Sequence, residues 1–547
     1  MASEHPFNGS VLLALSFAVL LRWCVSLHPH SGEGKPPMYG DYEAQRHWME
    51  ITYNLPLKDW YFNTTDNDLM YWGLDYPPLT AYHSLACGYF ASRVNHSFVA
   101  LKSSRGVESY EHKVFMRGTV LLADLLIYIP AILWYFSFKT TSEQSRIVGG
   151  GDVSKHVGTL KCDSDSQVLT IYIALLYPGL ILIDYGHFQY NNVSLGLTVA
   201  AVAAICRNRE LVASVLYCLA LNYKQMELYH ALPFFFYLLG QCLPKKGQSF
   251  IRLNYVKLIK IGFVVVLSFV IVWLPFLNNS QLVLQVIHRL FPLDRGVFED
   301  KVANVWCAIN VVYKLRSAFT NTAMAKICLC VTLFAVLPSS IDLLLRPNFR
   351  KFVVALINSS LAFFLFSFQV HEKSILLAAV PVILYLPNEP LTCFWFLLVS
   401  VFSMLPLFIK DGLLIPCFAV TAFYVMSIFL TIDFEFKEPD CSNSEVGILT
   451  FKPHIIDKGK RPSRKDLEIL PNQIQSHSVK KQCLQFLFIV SMIGCVVLTF
   501  CAAVLKPPSK YPDLYTLIIS VYSCGHFLLF FFYFNYRQFC YTFPAKR

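Results

Sequence analysis

Several motifs of this chain place acidic and basic side chains near the ends of long apolar runs, and the first of these motifs contains Asp41. It lies in GDYEAQRHW, whose helical spacing places Asp41, Gln45 and Trp48 on one face. An Asp after a Gly at a helix start is typical of an N-cap. A carboxylate in this setting can also act as a general base that takes a proton from a hydroxyl group. Both roles can hold together.

A second motif, WGLDYPPLTAYHS, follows in the same hydrophilic segment. Asp75 precedes Tyr76 and two prolines, so it can either cap a helix or take part in chemistry. Aromatic residues cluster around it, and they fit a platform on which a sugar stacks as well as they fit an aromatic belt at a membrane interface. The aromatic residues are Trp48, Trp60, Tyr71, Trp72 and Tyr76.

Further ionisable residues end other apolar runs. Charge near lipid is costly, so these side chains should be paired with each other or line a wet cavity. Simple pairing between helices is the alternative to a role in binding. The residues are Asp184, His187, Lys224, Glu227, His371, Glu372 and Lys373. Arg295, in HRLFPLDRGVFEDK, adds a positive charge that suits a phosphate leaving group.

The elements that position these residues are predicted to be membrane helices. The 547 residues are 55% hydrophobic, and the mean hydropathy is +0.48. Apolar runs long enough to cross a bilayer recur about fourteen times, which predicts an all-α polytopic membrane protein. The runs span 9–27, 115–138, 167–183, 193–206, 211–222, 228–243, 257–277, 325–345, 351–368, 374–387, 391–408, 413–431, 483–505 and 514–535.

Charge indicates which side each connection faces. Basic residues concentrate in 244–257, 346–351 and 432–482, which the positive-inside rule places in the cytosol. Segments 28–114 and 278–324 carry many of the acidic residues and fall on the opposite side. We therefore expect the chemistry outside the cytosol. The formal charge of +11 belongs to the cytoplasmic connections, so nucleic acid is not an expected partner.

We divide the chain into a catalytic transmembrane module over 1–431, a basic cytoplasmic linker over 432–482 and C-terminal transmembrane helices over 483–547. A transporter or lipid scramblase is the main alternative to an enzyme. Such proteins often contain inverted repeats and polar groups near the bilayer midplane. Here the polar motifs collect at one side and no repeat is evident, which favours an enzyme with a lipid-borne substrate.

The motifs together resemble one known family. GDYEAQRHW, WGLDYPPLTAYHS, LLYPGLILIDYGHFQYN, NYKQMELYH, RLFPLDRGVFEDKVANVWC and FQVHEKSIL are similar to the dolichyl-phosphate-glucose-dependent alpha-1,3-glucosyltransferases of the endoplasmic reticulum. The similarity covers most of the chain. It is greater to the branch that adds the first glucose to the mannose-capped dolichyl-pyrophosphate oligosaccharide. The second-glucose branch and the related mannosyltransferases are the competing assignments.

The resemblance implies a GT-C bundle of transmembrane helices with luminal surface helices in the first long loop. It implies that dolichyl phosphate glucose is the donor, and that glucose is transferred with inversion to the lipid-linked oligosaccharide. Asp41 matches the family's base, and His371 and Glu372 match its luminal HE pair. The resemblance implies that His371 contacts the donor phosphate and that Glu372 holds a sugar hydroxyl or the histidine itself. Asp75, Arg295 and Lys373 are assigned to binding from their positions.

The same chemistry predicts no metal. Dolichyl phosphate leaves as an anion, which histidine and basic side chains can stabilise. The sequence contains no dense carboxylate cluster of the kind that magnesium or manganese favours. We therefore expect no cofactor and an endoplasmic reticulum membrane location with the site in the lumen.

Overall fold

The structure is a computed structural model that describes residues 9–137, 164–244, 254–291, 301–432 and 471–540. In these ranges the chain is helical and forms no β-strand. Ten helices are long and apolar enough to cross a membrane, which confirms the all-α polytopic class. They are Gly9–Ser26, Tyr110–Phe136, Gln167–Phe188, Tyr255–Phe276, Asn321–Leu345, Phe349–Phe366, Pro390–Lys410, Leu414–Thr431, Gln482–Val504 and Leu514–Cys540.

The expected number of about fourteen crossings stays a prediction. Four of the apolar runs form shorter helices, which at 1.5 Å per residue extend only about 15–24 Å. These are Asn191–Cys206, Glu210–Tyr223, Ala231–Cys242 and Leu376–Tyr385. Every residue of Leu376–Tyr385 is buried, so this helix meets other helices rather than solvent or lipid.

Burial separates central helices from peripheral ones. Phe349–Phe366 is largely buried, whereas Tyr255–Phe276 and Gln482–Val504 expose most of their apolar side chains. Exposed apolar surface of this extent suits contact with lipid tails. The remaining helices and turns are Leu57–Asp59, Pro78–Val94, His96–Phe98, Gln225–His230, Ser280–Leu290, Val305–Val312, Leu315–Ala318 and Glu372–Ile375.

The first long connection contains the expected helix, Gly40–Asn54, but neighbouring segments bury it almost completely. Its buried charges pair with one another within the helix: Arg46 donates to Glu43 and to Glu50, each at 2.6 Å. The carbonyl of Glu50 and that of Val99 accept hydrogen bonds from Asn54. A buried charge needs such partners to remain ionised.

Several connections meet at one end of the bundle, which we call the polar end and define as residues 27–41, 185–191, 223–230, 367–375 and 410–413. Hydrogen bonds join them directly. The amide of Ser31 donates to the carbonyl of His187 at 3.0 Å, and Nζ of Lys35 donates to the carbonyl of Lys410 at 3.1 Å. Positions that are far apart in the chain are therefore adjacent at this end.

A buried ion pair connects three spanning helices below the polar end. Arg22 Nε donates to Asp124 Oδ2 at 2.5 Å, and its Nη1 donates to the carbonyl of Leu175 at 2.8 Å. Tyr185 also donates to Asp124, at 2.7 Å. Arg22 and Asp124 side chains are each 1% exposed, so neither charge is solvated by water.

Replacing Arg22 with Met should destabilise the protein by about 3–5 kcal/mol, because the charge of Asp124 would remain buried without its partner. The free energy of unfolding in mixed micelles measures this. Adding Asp124→Asn should recover part of the loss, since it removes the unpaired charge. A single Arg22→Met variant as stable as the wild type would contradict this account.

Candidate active site

The backbone around Asp41 brings two loops together. Tyr39 and Gly40 both have positive φ, 54° and 69°, immediately before the helix that contains Asp41. A Cβ at Gly40 would lie 2.5 Å from the carbonyl oxygen of Ser31, so only glycine permits this approach. The N-cap position is Tyr39, and Asp41 lies within the first helical turn. The N-cap alternative for Asp41 is therefore wrong.

The carboxylate of Asp41 accepts hydrogen bonds from three side chains in two other segments of the chain. Its Oδ2 atom lies 3.0 Å from His187 Nε2 and 2.6 Å from Gln189 Nε2, and it also contacts Nζ of Lys373. Burial acts to raise the pKa of Asp41, but the charge of Lys373 and the bond from His187 outweigh burial and hold this pKa well below its usual range. Asp41 is thus a carboxylate at neutral pH.

All three donors reach the same oxygen of Asp41. Within the described parts of the chain no donor contacts Oδ1, and the side chain is 23% exposed. An oxygen that is reachable and carries no internal hydrogen bond can take a proton from a bound molecule. Oδ2 therefore holds Asp41 in place, and Oδ1 is available to accept a proton.

His187 reaches Asp41 from the end of a membrane helix with unusual geometry. The last turn, Leu182–Phe188, is a π-helix, and Phe188 has a φ of 87° although it is not a glycine. π-turns and positive φ at bulky residues are uncommon and occur often at functional sites. A Cβ at Gly186 would lie 2.8 Å from Leu413, so this glycine lets the turn after Lys410 approach His187.

Asp411, which the sequence analysis did not single out, contacts His187 on its other side. Its Oδ2 atom lies 2.6 Å from His187 Nδ1, and the side chain is 2% exposed. The helix Pro390–Lys410 ends here in a Schellman motif, in which Leu413 and Gly412 donate to the carbonyls of Phe408 and Ile409. The motif KDG at the end of an apolar run is the signal that indicates this position.

The other acidic candidates bind the protein itself. Both oxygens of Asp184 accept hydrogen bonds at the start of the helix Asn191–Cys206, including 2.7 Å from the amide of Asn192. Glu227 Oε2 accepts from Thr198 at 2.9 Å and contacts His230 at 2.8 Å. Asp184 and Glu227 thus stabilise helix starts and helix contacts.

Lys224 lies beside this group and towards Asp41. Its Nζ donates to Asn191 at 2.5 Å and lies 5.3 Å from the ring centre of Tyr76. Burial, followed by the charge of Lys373, lowers the pKa of Lys224 to about 8. Lys224 lines a narrow cleft at the polar end whose walls also include Gln45, Tyr76, Thr80, Gln189, Tyr190 and Tyr223.

The aromatic candidates pack mainly on one another. Trp48 is buried, its ring lies 4.9 Å from that of Tyr76, and its indole donates to the carbonyl of Trp72 at 2.8 Å. The Trp72 indole donates to the carbonyl of Met38 at 2.5 Å. These contacts order the loop, and only Trp72 and Tyr76 keep partial exposure among the three.

The remaining candidate residues are Asp75, His371, Glu372 and Arg295. Asp75 is half-buried, and the following helix begins at Pro78 without a side-chain cap, so the capping alternative for Asp75 is wrong. His371 is exposed and Glu372 half-buried in the turn that presents Lys373. Arg295 lies outside the described residues. No disulfide joins Cys87 to Cys307.

These contacts define a class of protein: a helical membrane protein with an ionised carboxylate, an imidazole and a lysine gathered at one end of its helices. In the described ranges, no three His, Cys, Asp or Glu side chains are placed to hold a metal ion. A carboxylate between basic groups is suited to proton transfer.

Comparison with known proteins identifies the family. The sequence model of the ALG6, ALG8 glycosyltransferase family matches residues 18–533. The chain is 48% identical over 529 residues to the dolichyl pyrophosphate Man9GlcNAc2 alpha-1,3-glucosyltransferase of Gallus gallus, covering 96% of this chain and 95% of the relative. It is 47% identical to the Mus musculus enzyme of the same name, over 96% and 95% of the two chains. The chain belongs to the ALG6, ALG8 glycosyltransferase family, and it is a glycosyltransferase.

Gln189 offers a test of the geometry around Asp41. Gln189→Ala removes one hydrogen bond to a charged group, which is worth about 1.5–3 kcal/mol, so we expect glycosyl transfer to fall roughly 10- to 100-fold. Gln189→Glu should be worse at neutral pH, because a like charge disfavours the ionised form of Asp41.

The rate of sugar transfer by purified protein at several pH values measures both effects. Gln285→Ala is the matched control, since Gln285 donates to the carbonyl of Tyr61 and does not contact Asp41. It should retain wild-type activity. Equal losses in the Gln189 and Gln285 variants would show that the effect is general and not exerted at Asp41.

Proposed function

We propose that this chain transfers glucose from dolichyl phosphate β-glucose to the terminal mannose of lipid-linked Man9GlcNAc2. The product is an alpha-1,3 linkage, and it is the first glucose of the lipid-linked oligosaccharide. The names of the relatives support the acceptor and the linkage. The observation that carries the proposal is the ionised carboxylate of Asp41, fixed through Oδ2 at the polar end.

The change from a beta-linked donor to an alpha-linked product requires one displacement with inversion. The acceptor hydroxyl attacks the anomeric carbon of glucose, and its proton goes to Oδ1 of Asp41. The new carbon–oxygen bond forms as the bond to the phosphate oxygen breaks, and dolichyl phosphate leaves with the electron pair. A single general base suffices for this reaction, and Oδ1 of Asp41, which no donor in the described ranges contacts, is suited to that role.

The donor phosphate should bind at the turn 371–373. Lys373 Nζ contacts Asp41, so a phosphate held by Lys373 would lie beside the base. His371, which is exposed in the same turn, would add a donor to the phosphate, and Glu372 would hold a sugar hydroxyl or orient His371. Arg295 is proposed to contribute further positive charge to the leaving group.

The acceptor should bind next to Asp41, on the side where Lys224, Tyr76 and Gln189 face one another. Asp75 and Trp72 belong to the same loop as Tyr76, and the carbonyl of Asp75 accepts a hydrogen bond from Gln225. Trp48 supports Tyr76 by packing. Because Asp184 and Glu227 bind the protein, they would influence the acceptor through Lys224 and its neighbours.

The substrates are lipid-borne, which suits a site at one end of membrane-spanning helices. We propose that this end faces the lumen of the endoplasmic reticulum. The basic residues of 346–351, on the opposite side, favour that orientation.

Asp41→Asn should abolish transfer, with a loss of at least about 100- to 10,000-fold, because the amide keeps the size of the side chain but cannot accept the proton. The assay supplies purified protein with dolichyl phosphate glucose and Man9GlcNAc2 on its lipid carrier. UDP-glucose, dolichyl phosphate mannose and a monoglucosylated acceptor serve as comparison substrates. Transfer that is retained in Asp41→Asn would overturn the assignment of the base, and a preference for the glucosylated acceptor would indicate the second-glucose branch.

Transfer should proceed without a metal ion, because Lys373 and His371 are proposed to stabilise the departing phosphate. We expect activity to be unchanged by EDTA and by added manganese. Loss of transfer with EDTA, followed by recovery with manganese, would show that a cation supplies the charge instead. Detergent-purified protein dialysed against chelator is the sample for this measurement.

A further inference from the structure

We propose that Asp411 is a positioning residue for the transfer reaction and acts on Asp41 through His187. In this role Asp411 fixes the imidazole so that its Nε2–H group points at Oδ2 of Asp41, which keeps Asp41 ionised and turns Oδ1 towards the acceptor. The inference rests on the proposed function, because it takes Asp41 as the base.

The geometry around His187 requires two donors on one ring. Asp411 Oδ2 lies 2.6 Å from Nδ1, and Asp41 Oδ2 lies 3.0 Å from Nε2. Carboxylates only accept hydrogen bonds, and a neutral imidazole has only one N–H group. Both contacts are hydrogen bonds only when the ring is doubly protonated. His187 in this arrangement is therefore an imidazolium between two carboxylates.

The charges around His187 then balance. Asp41 and Asp411 carry two negative charges, and His187 and Lys373 carry two positive charges. The side chains of His187 and Asp411 are 4% and 2% exposed, so water screens their interaction little. Removing the Asp411 charge would leave the cluster with an excess of positive charge, which favours loss of the His187 proton.

The location of Asp411 supports a role beyond folding. It is the C-cap residue of Pro390–Lys410, where the carbonyl end of the helix disfavours a negative charge. Gly412, with a φ of 73°, supplies the turn that a helix end needs without any acid. A carboxylate at this position thus interacts unfavourably with the helix end, and its contact with His187 offsets that cost.

The turn that contains Asp411 is held rigidly against the rest of the polar end. Lys35 donates to the carbonyl of Lys410, and Leu413 packs closely on Gly186. The carbonyl of Gly186 in turn accepts from Arg117 at 2.8 Å. Fixed supporting contacts of this kind hold a reactive group within the narrow range of geometry that catalysis needs.

A pH profile distinguishes positioning from a purely structural role. The charged groups that face His187 are Asp41, Asp411 and Lys373, and the Nζ atom of Lys373 lies 3.4 Å from Nε2. Arg117 donates to the carbonyl of the preceding residue, Gly186. In Asp411→Asn the imidazole loses the acid that keeps it charged, and Asp41 loses one positive neighbour. Asp41 then binds its proton at higher pH, so the acid limb of kcat/KM should move upward.

The expected changes in Asp411→Asn are a fall in kcat of roughly 10- to 100-fold at neutral pH and an upward shift of the acid limb by about 1–3 pH units. Asp411→Glu, which restores the charge, should move the limb back towards its wild-type position. In a His187→Gln background, Asp411→Asn should cause no further shift, because the residue through which it acts is gone.

Asp342→Asn is the matched control. Asp342 is also a buried acid, with a 2.8 Å contact to Lys351, but it lies at the opposite end of the bundle. It should lower thermal stability and leave the pH profile unchanged. If Asp411→Asn does not fold, the His187→Gln profile decides, because this variant removes the imidazole through which Asp411 acts: an acid limb at the wild-type position would overturn the proposal.

The outcomes separate this inference from the proposed function. Wild-type protein that transfers no glucose with any of the donors would overturn the proposed function, and with it the positioning role of Asp411. Active wild type, inactive Asp41→Asn and a folded Asp411→Asn with an unshifted acid limb would overturn the positioning role alone. An Asp411→Asn shift that persists in the His187→Gln background would also overturn it, since the effect would not pass through His187.

Discussion

A single ionised carboxylate must be kept in place at the end of an apolar helical bundle, and much of the polar end can be understood from that requirement. Asp41 is largely shielded from water, so its charge is maintained only by the donors that reach it. These come from three side chains on two connections: His187 and Gln189 lie on one, and Lys373 lies on the other. The donors use one oxygen and leave the other for chemistry. In the proposed mechanism, structural stability and reactivity are thereby divided between two atoms of one side chain.

The supporting backbone is specialised in the same place. Gly40 allows its loop to approach Ser31 more closely than any other residue would permit, Gly186 leaves room for the Leu413 side chain, and Phe188 holds a backbone conformation that non-glycine residues rarely adopt. Within the spanning helices Arg22 and Asp124 form a buried ion pair on a regular helical backbone or a single π-turn. Irregular backbone thus occurs on both segments that meet at Asp41, which is common at sites where groups are fixed before a substrate binds.

The sequence alone predicted the helical membrane class and brought out Asp41, His187 and Lys373, because ionisable residues at the ends of apolar runs are few and costly. It missed Asp411 and Gln189. Asp411 resembles an ordinary turn residue before glycine, and Gln189 carries no charge. The N-cap roles considered for Asp41 and Asp75 were wrong because the geometry of the preceding loops sets the helix starts at Gly40 and Pro78. The pattern of residue types in the sequence does not reveal that geometry. Substrate roles for Asp184 and Glu227 stay predictions, since their observed partners are within the protein.

The long separation between the partners has a consequence for biogenesis. Lys373 follows Asp41 by 332 residues and Asp411 follows His187 by 224, so the cluster can close only after most of the polypeptide has been inserted. Until then Asp41 lacks Lys373 and His187 lacks Asp411. A nascent chain interrupted before residue 411 would display uncompensated polar residues near the bilayer, a feature that membrane quality-control machinery can detect. Correct assembly and catalytic competence are therefore acquired in the same late step of synthesis.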